Sequence, residues 1–239
     1  MAKQDLYTAP RQNTTTVQED LSIPSAEDRL KGVEHWYQNN NKIINNILIG
    51  VLALVVGIFA YTKFYKGPQM QKSNDAIFRA QTYFNIDSVD KALNGDGQYD
   101  GFLSIAKKYS GTPAGNMAHY YAGVCLLKKG KFEDAVKQLN DFDGKGTLIA
   151  AMAKGNLGDA YMELGKTDDA IKAYLDASND KDNLLLSPIY MQRAGMAYEL
   201  KNNPTEAIKL YHQIKDQFPQ SNQAREMDKS LARLGDYNP

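Results

Sequence analysis

MAKGNLGDAYMELGKTDDAIKAYLDAS, residues 152–178, decides how the rest of this 239-residue chain is read. Apolar and small residues recur at helical spacing on both sides of Gly165, which makes two helices joined by a short turn. Two further stretches align with it: MAHYYAGVCLLKKGKFEDAVKQL from Met117 and IYMQRAGMAYELKNNPTEAIKLYHQI from Ile189. Each has a glycine in its first helix (Gly123, Gly158, Gly195) and a large residue three positions later (Leu126, Tyr161, Tyr198). Each also has an alanine in its second helix, and Ala135, Ala170 and Ala207 stand 35 and then 37 residues apart. Glycine and alanine let the helices of one hairpin approach closely, and the large residue fills the space between hairpins. No such unit buries its apolar face alone, so the units must stack.

A period near 34 with these landmarks resembles the tetratricopeptide repeat. Leu157, Gly158, Tyr161, Gly165, Ala170, Tyr174 and Ala177 fall on that family's positions, and the third unit adds Tyr211 and a closing Pro219. The family's tryptophan is missing from all three units. The expected domain spans 69–239, with clear repeats at about 116–149, 151–184 and 188–221. A degenerate unit is expected at 69–113, with helices over QMQKSNDAIFRAQTYFNID and from about Tyr99 to Tyr109. A polar-faced capping helix is expected at 221–234.

The resemblance implies a groove lined by the first helices. Its positions would be Met117, Tyr120, Val124 and Leu127, then Met152, Asp159 and Met162, then Gln192, Met196 and Glu199. Thioether side chains repack around varied partners, so several methionines on one surface suit protein binding. The competing reading is ordinary packing inside the solenoid. Some tetratricopeptide domains hold a C-terminal carboxylate with Lys and Asn on the first helices. Tyr120 and Val124 stand at those places here, so that clamp is not expected despite Asn156 and Arg193.

Upstream, IINNILIGVLALVVGIFAYT (43–62) carries no formal charge and is long enough, at 1.5 Å per residue, to cross about 30 Å of hydrocarbon. A transmembrane helix is expected over 43–65. Trp36, Tyr37, Tyr61, Phe64 and Tyr65 would sit at the membrane interfaces. Residues 25–42 read as an amphipathic juxtamembrane helix opened by a Ser25–Asp28 capping box, or as a plain extension of the span. Residues 1–24 read as a flexible polar tail with no apolar region near Met1, so the span itself should act as an uncleaved anchor. Three basic residues flank each side of the span, so charge does not orient it.

The fold class is thus all-α: one N-terminal transmembrane helix followed by a tetratricopeptide-repeat α-solenoid. Lys and Arg number 28, as do Asp and Glu, so no affinity for nucleic acid is indicated. The single Cys125 cannot close a disulfide within the chain. His35, His119 and His212 are scattered and Cys125 lies among apolar neighbours, so neither an enzyme, a metal site nor a cofactor is expected. The run Asp176, Ser178, Asp180, Asp182 lacks the glycine turn and closing glutamate of a calcium loop. Gly95, Gly97 and Gly101 lack the flanking strand and Lys-Ser/Thr of a phosphate loop.

The order of parts is itself informative. An acidic and aromatic segment (EDRLKGVEHWYQNNNK), one span, an aromatic and basic exit (YTKFYK) and helical hairpins succeed one another. Over about residues 26–234 this resembles the ancillary subunit of the bacterial SecYEG translocon. The resemblance implies an inner-membrane protein with a cytoplasmic N-terminus and a periplasmic repeat domain. Its partners would be translocon subunits, chaperones or exported polypeptides. A scaffold for another envelope assembly, in division or outer-membrane biogenesis, is the alternative.

Overall fold

A computed structural model describes residues 25–237; the expected tail, 1–24, lies outside the described residues. The chain divides into two units, Met1–Phe59 and Ala60–Pro239.

In the first unit, α1 (Ala26–Ala60) opens on the capping box. The Asp28 amide donates to Ser25 Oγ at 3.2 Å, and that hydroxyl donates to Asp28 Oδ2 at 2.7 Å. Gly32 and the Asn39–Asn41 run lie inside α1, which shows no break between 25–42 and the apolar stretch. Asn40 Nδ2 donates back to the Trp36 carbonyl at 2.9 Å, one local way an asparagine is kept within a helix. No residue of α1 is buried; Ile49 and Leu52 are 64 % and 63 % exposed. The helix is long and apolar enough to cross a membrane, and none of its apolar window has the cover a core helix would have.

The second unit begins with a π-helical segment, Tyr61–Lys66, whose Tyr61 and Tyr65 rings stack at 5.3 Å. Pro68 follows it after a single residue, Gly67. Proline has no N–H to offer the carbonyl four residues back and crowds it sterically; the wider turn, with the Gly67 amide on the Thr62 carbonyl, relieves that clash. The remaining helices are α2 (Gly67–Asn85), α3 (Val89–Asn94), α4 (Phe102–Lys108), α5 (Pro113–Lys128), α6 (Phe132–Asp141), α7 (Leu148–Glu163), α8 (Thr167–Ala177), α9 (Leu186–Leu200), α10 (Pro204–Gln217) and α11 (Asn222–Arg233). Among the described residues there is no strand, only an isolated bridge between Gly95 and Asp100.

Hairpins α5–α6, α7–α8 and α9–α10 stack in order, first helices touching along α5, α7, α9 and α11. Inside each hairpin the glycine faces the residue four after the alanine. A Cβ on Gly158 would lie 2.4 Å from the Tyr174 ring, one on Gly195 2.4 Å from Tyr211, and one on Gly123 2.6 Å from Leu139. Between hairpins, half-buried Tyr161 packs against the cores on both its sides. Ser221 caps α11, which buries Ala224, Met227 and Leu231 and leaves Arg225, Glu226, Asp228 and Lys229 exposed.

The first helices all stop in the same way. After α7, the Lys166 amide donates to the Tyr161 carbonyl at 2.9 Å and the Gly165 amide to the Met162 carbonyl at 3.0 Å. This is the Schellman arrangement, which satisfies the last carbonyls of a helix through one residue at positive φ. Gly130, Gly165, Asn202 and Gly235 hold that place after α5, α7, α9 and α11.

Asp87, at φ 56°, holds the same place after α2, where the Ser88 amide donates to the Tyr83 carbonyl at 2.9 Å. That turn sets the register of the leading unit: Ala80, Tyr83 and Ala92 stand where Gly158, Tyr161 and Ala170 stand. Its second helix differs from the sequence expectation. A short α3 precedes the glycine-rich turn, and α4 begins at Phe102 rather than near Tyr99. The glycines serve the turn. Gly95 and Gly97 both have φ +90°, and a Cβ on Gly101 would lie 2.3 Å from the Gly95 nitrogen.

Candidate protein-binding face on the first helices

Of the ten residues expected on a groove, Met117, Val124, Leu127, Met152 and Met162 are half-buried and Met196 is 54 % exposed. Met117 packs against two neighbouring cores at once, and Met162 against the core that runs from α8 to α11. Tyr120 is only 7 % exposed, enclosed with Leu139, Ala153 and Leu157, so its ring is an inter-repeat packing element and not a presented surface. Burial pushes its hydroxyl above the ordinary tyrosine range, while a hydrogen bond with Asn156 acts the other way.

The polar members are each committed to partners elsewhere in the solenoid. Asp159 on α7 accepts the Tyr174 hydroxyl at 2.7 Å and, on both carboxylate oxygens, the Arg193 guanidinium of α9 at 2.6 Å. Glu199 on α9 accepts the Tyr211 hydroxyl at 2.5 Å and a two-pronged contact from Arg233 of α11 at 3.1 and 2.9 Å. Gln192 donates to Glu226 at 3.3 Å. Each carboxylate thus ties its own hairpin's tyrosine to the next first helix. Burial first, and then the hydrogen bond to a carboxylate, push the Tyr174 and Tyr211 hydroxyls well above the ordinary tyrosine range.

Periodicity did not reveal this network, because its members are 12 to 34 residues apart. The available signal was the tyrosine four places after the alanine in the second and third units, each with a carboxylate on the preceding helix. Arg193 and Asn156 are both engaged, to Asp159 and Tyr120.

The face therefore offers thioether and aliphatic side chains set among matched polar groups. Such a surface favours apolar side chains and gives charged ones little to pair with. Elsewhere, His119 meets Gln138 at 2.9 Å and His212 meets Asp236 at 2.7 Å. Cys125 is fully buried, and burial pushes its thiol up to about 11. The Asp176–Asp182 run starts in the last turn of α8 and continues as an inter-repeat loop in which Asp180 accepts the Asp182 amide at 3.1 Å.

Residues 156–222 match the tetratricopeptide repeat family model. No curated protein matches the chain. Among solved structures it is similar to a Podosopora anserina protein of kinesin-light-chain type with nearly identical TPR-like repeats. That likeness is at 15 % identity over 70 % of this chain and 86 % of that one, with a TM-score of 0.53. Two structures of MamA align at 23 % and 24 % identity. They cover 74 % of this chain and 89 % and 83 % of their own, with TM-scores of 0.48 and 0.49. The fold is a tetratricopeptide-like solenoid, an architecture that typically binds proteins without catalysing a reaction.

Proposed function

We propose that the chain is a membrane-anchored protein-binding adaptor whose first-helix face takes an apolar segment of a partner. The observation that carries this reading is the pairing of Asp159 and Glu199 within the solenoid, which leaves the methionines and aliphatic residues to meet a ligand. α1 supplies the anchor. A binding face tethered to a bilayer meets membrane-associated partners at raised effective concentration, with no new contact required.

The finer reading is an accessory subunit of the Sec translocon, with the repeat domain periplasmic and working beside chaperones on exported polypeptides. The order of acidic–aromatic segment, span, basic exit and repeats supports it. The test joins topology to neighbourhood: a phosphatase reporter after Pro239 and a photocrosslinker at Met196, the methionine most open to solvent among the described residues. The expected result is periplasmic reporter activity with adducts to translocon subunits or emerging chains. A cytoplasmic reporter sinks the translocon assignment. Periplasmic placement with adducts only to division or outer-membrane proteins replaces it with an envelope scaffold.

A further inference from the structure

One side of α7, turned away from Met152 and Asp159, lines a furrow. At about 100° per residue, Lys154 lies roughly 160° around the helix from Met152 and roughly 140° from Asp159. Three cavities, of about 490, 400 and 260 Å³, all have Lys154 in their walls. The first two also share Gly146 and Ala150, and the first and third share Asn140 and Leu157, so the three form one furrow.

Its largest chamber has an apolar floor of Leu139, Phe142, Ala153 and Leu157, with Asp143, Lys145 and Lys154 exposed at the rim. The chamber wall is held in place. Asn116 Nδ2 donates to the Asp143 carbonyl at 2.7 Å, and the Asp143 amide donates to Asn116 Oδ1 at 2.8 Å, stapling the α6–α7 loop to α5. Neither rim lysine has a carboxylate partner among the described residues, whereas Lys128, Lys129, Lys201 and Lys215 each have one. The adjoining chamber is lined instead by Asp176, Asp180 and Asn179.

We propose that this furrow binds a short extended segment of a partner protein. An apolar side chain of the segment fills the large chamber, an acidic neighbour pairs with Lys154 or Lys145, and a basic or amide side chain beyond meets Asp176. The side-chain amides of Asn140 and Asn179 along the furrow suit a peptide backbone and offer nothing to an alkyl chain. The furrow shares Leu139, Ala153 and Leu157 with the core beneath the first-helix face, but binding in it needs no ligand on that face.

The test exposes the full chain, in nanodiscs, to a pool of randomised peptides about eight residues long and blocked at both ends. Retained peptides are read by mass spectrometry. The expected selection is Leu, Ile or Phe beside Asp or Glu. Lys154→Glu should lower their retention about tenfold and turn the selected charge towards Lys and Arg, because a reversed charge repels the acid that the lysine attracted. Lys137→Glu, an exposed change on α6 outside the furrow, should leave retention unaltered. Both changes are at exposed positions, and circular dichroism checks their helicity. No selection, or selection that Lys154→Glu does not alter, overturns the proposal. Peptides lost with Met196→Glu but kept with Lys154→Glu belong to the first-helix face and overturn it equally.

Discussion

The α7–α8 hairpin and the leading α2–α4 segment end their first helices with the same turn and then part company. In the first, α8 runs unbroken through eleven residues and carries Tyr174 beneath Gly158. In the second, α3 stops after six residues, the chain reverses through Gly95 and Gly97, and α4 finishes the layer with Phe102 and Ile105 fully buried. The stop of a first helix is a local event, closed by two backbone hydrogen bonds and one residue at positive φ. The second helix only has to fill the space against its partner, and two short helices fill it as well as one long one.

The widest gap between the two regions should open at the small residue of the first helix. Gly158→Leu sets side-chain atoms against the Tyr174 ring and should cost about 3 kcal/mol or prevent folding. Ala80→Gly at the matching place should cost only about 1 kcal/mol. Urea midpoints of the two variants decide it, and equal losses would break the equivalence of the two positions. Next in size is Gly101→Ala, whose Cβ meets backbone that cannot step aside, only 2.3 Å away. A loss of about 2 kcal/mol is expected, with faster amide exchange in α2–α4 and unchanged protection in α7–α10.

Tyr174→Phe removes a hydroxyl donated to a carboxylate and should cost about 1.5 kcal/mol, whereas Tyr161→Phe should cost a few tenths. The tyrosines also set an alkaline limit. With their folded-state values raised, the unfolded chain loses these protons first. Their contribution is full below about pH 10, the unfolded value, and is lost as pH rises through the folded values. Urea midpoints should therefore fall above about pH 10, and the fall should shrink in the Tyr174→Phe/Tyr211→Phe double variant. The turns come last: Gly165→Ala should cost about 1 kcal/mol through its positive φ, measured by thermal unfolding.

The parts legible in the sequence were those that recur. Gly123, Gly158 and Gly195, and the three alanines aligned with them, set hairpin number and order. The leading unit was expected but not its register, because Ala80 replaces the glycine and Asp87 the turn glycine, and the short α3 is too brief to show a period. The proposed binding face was only partly legible. Tyr120, Asp159 and Glu199 share helix positions with the methionines, yet their side chains are taken up by neighbours that sequence spacing does not reveal.

The links between successive first helices also have a mechanical consequence. Asp159–Arg193 and Glu199–Arg233 are rivets between adjacent layers, and none of them reaches past the next layer. Under tension applied at Tyr237, the chain should give way one layer at a time from α11 inward. Each released hairpin of roughly 35 residues would add about 120 Å of contour length, so a pulling trace should rise and fall in a regular sawtooth.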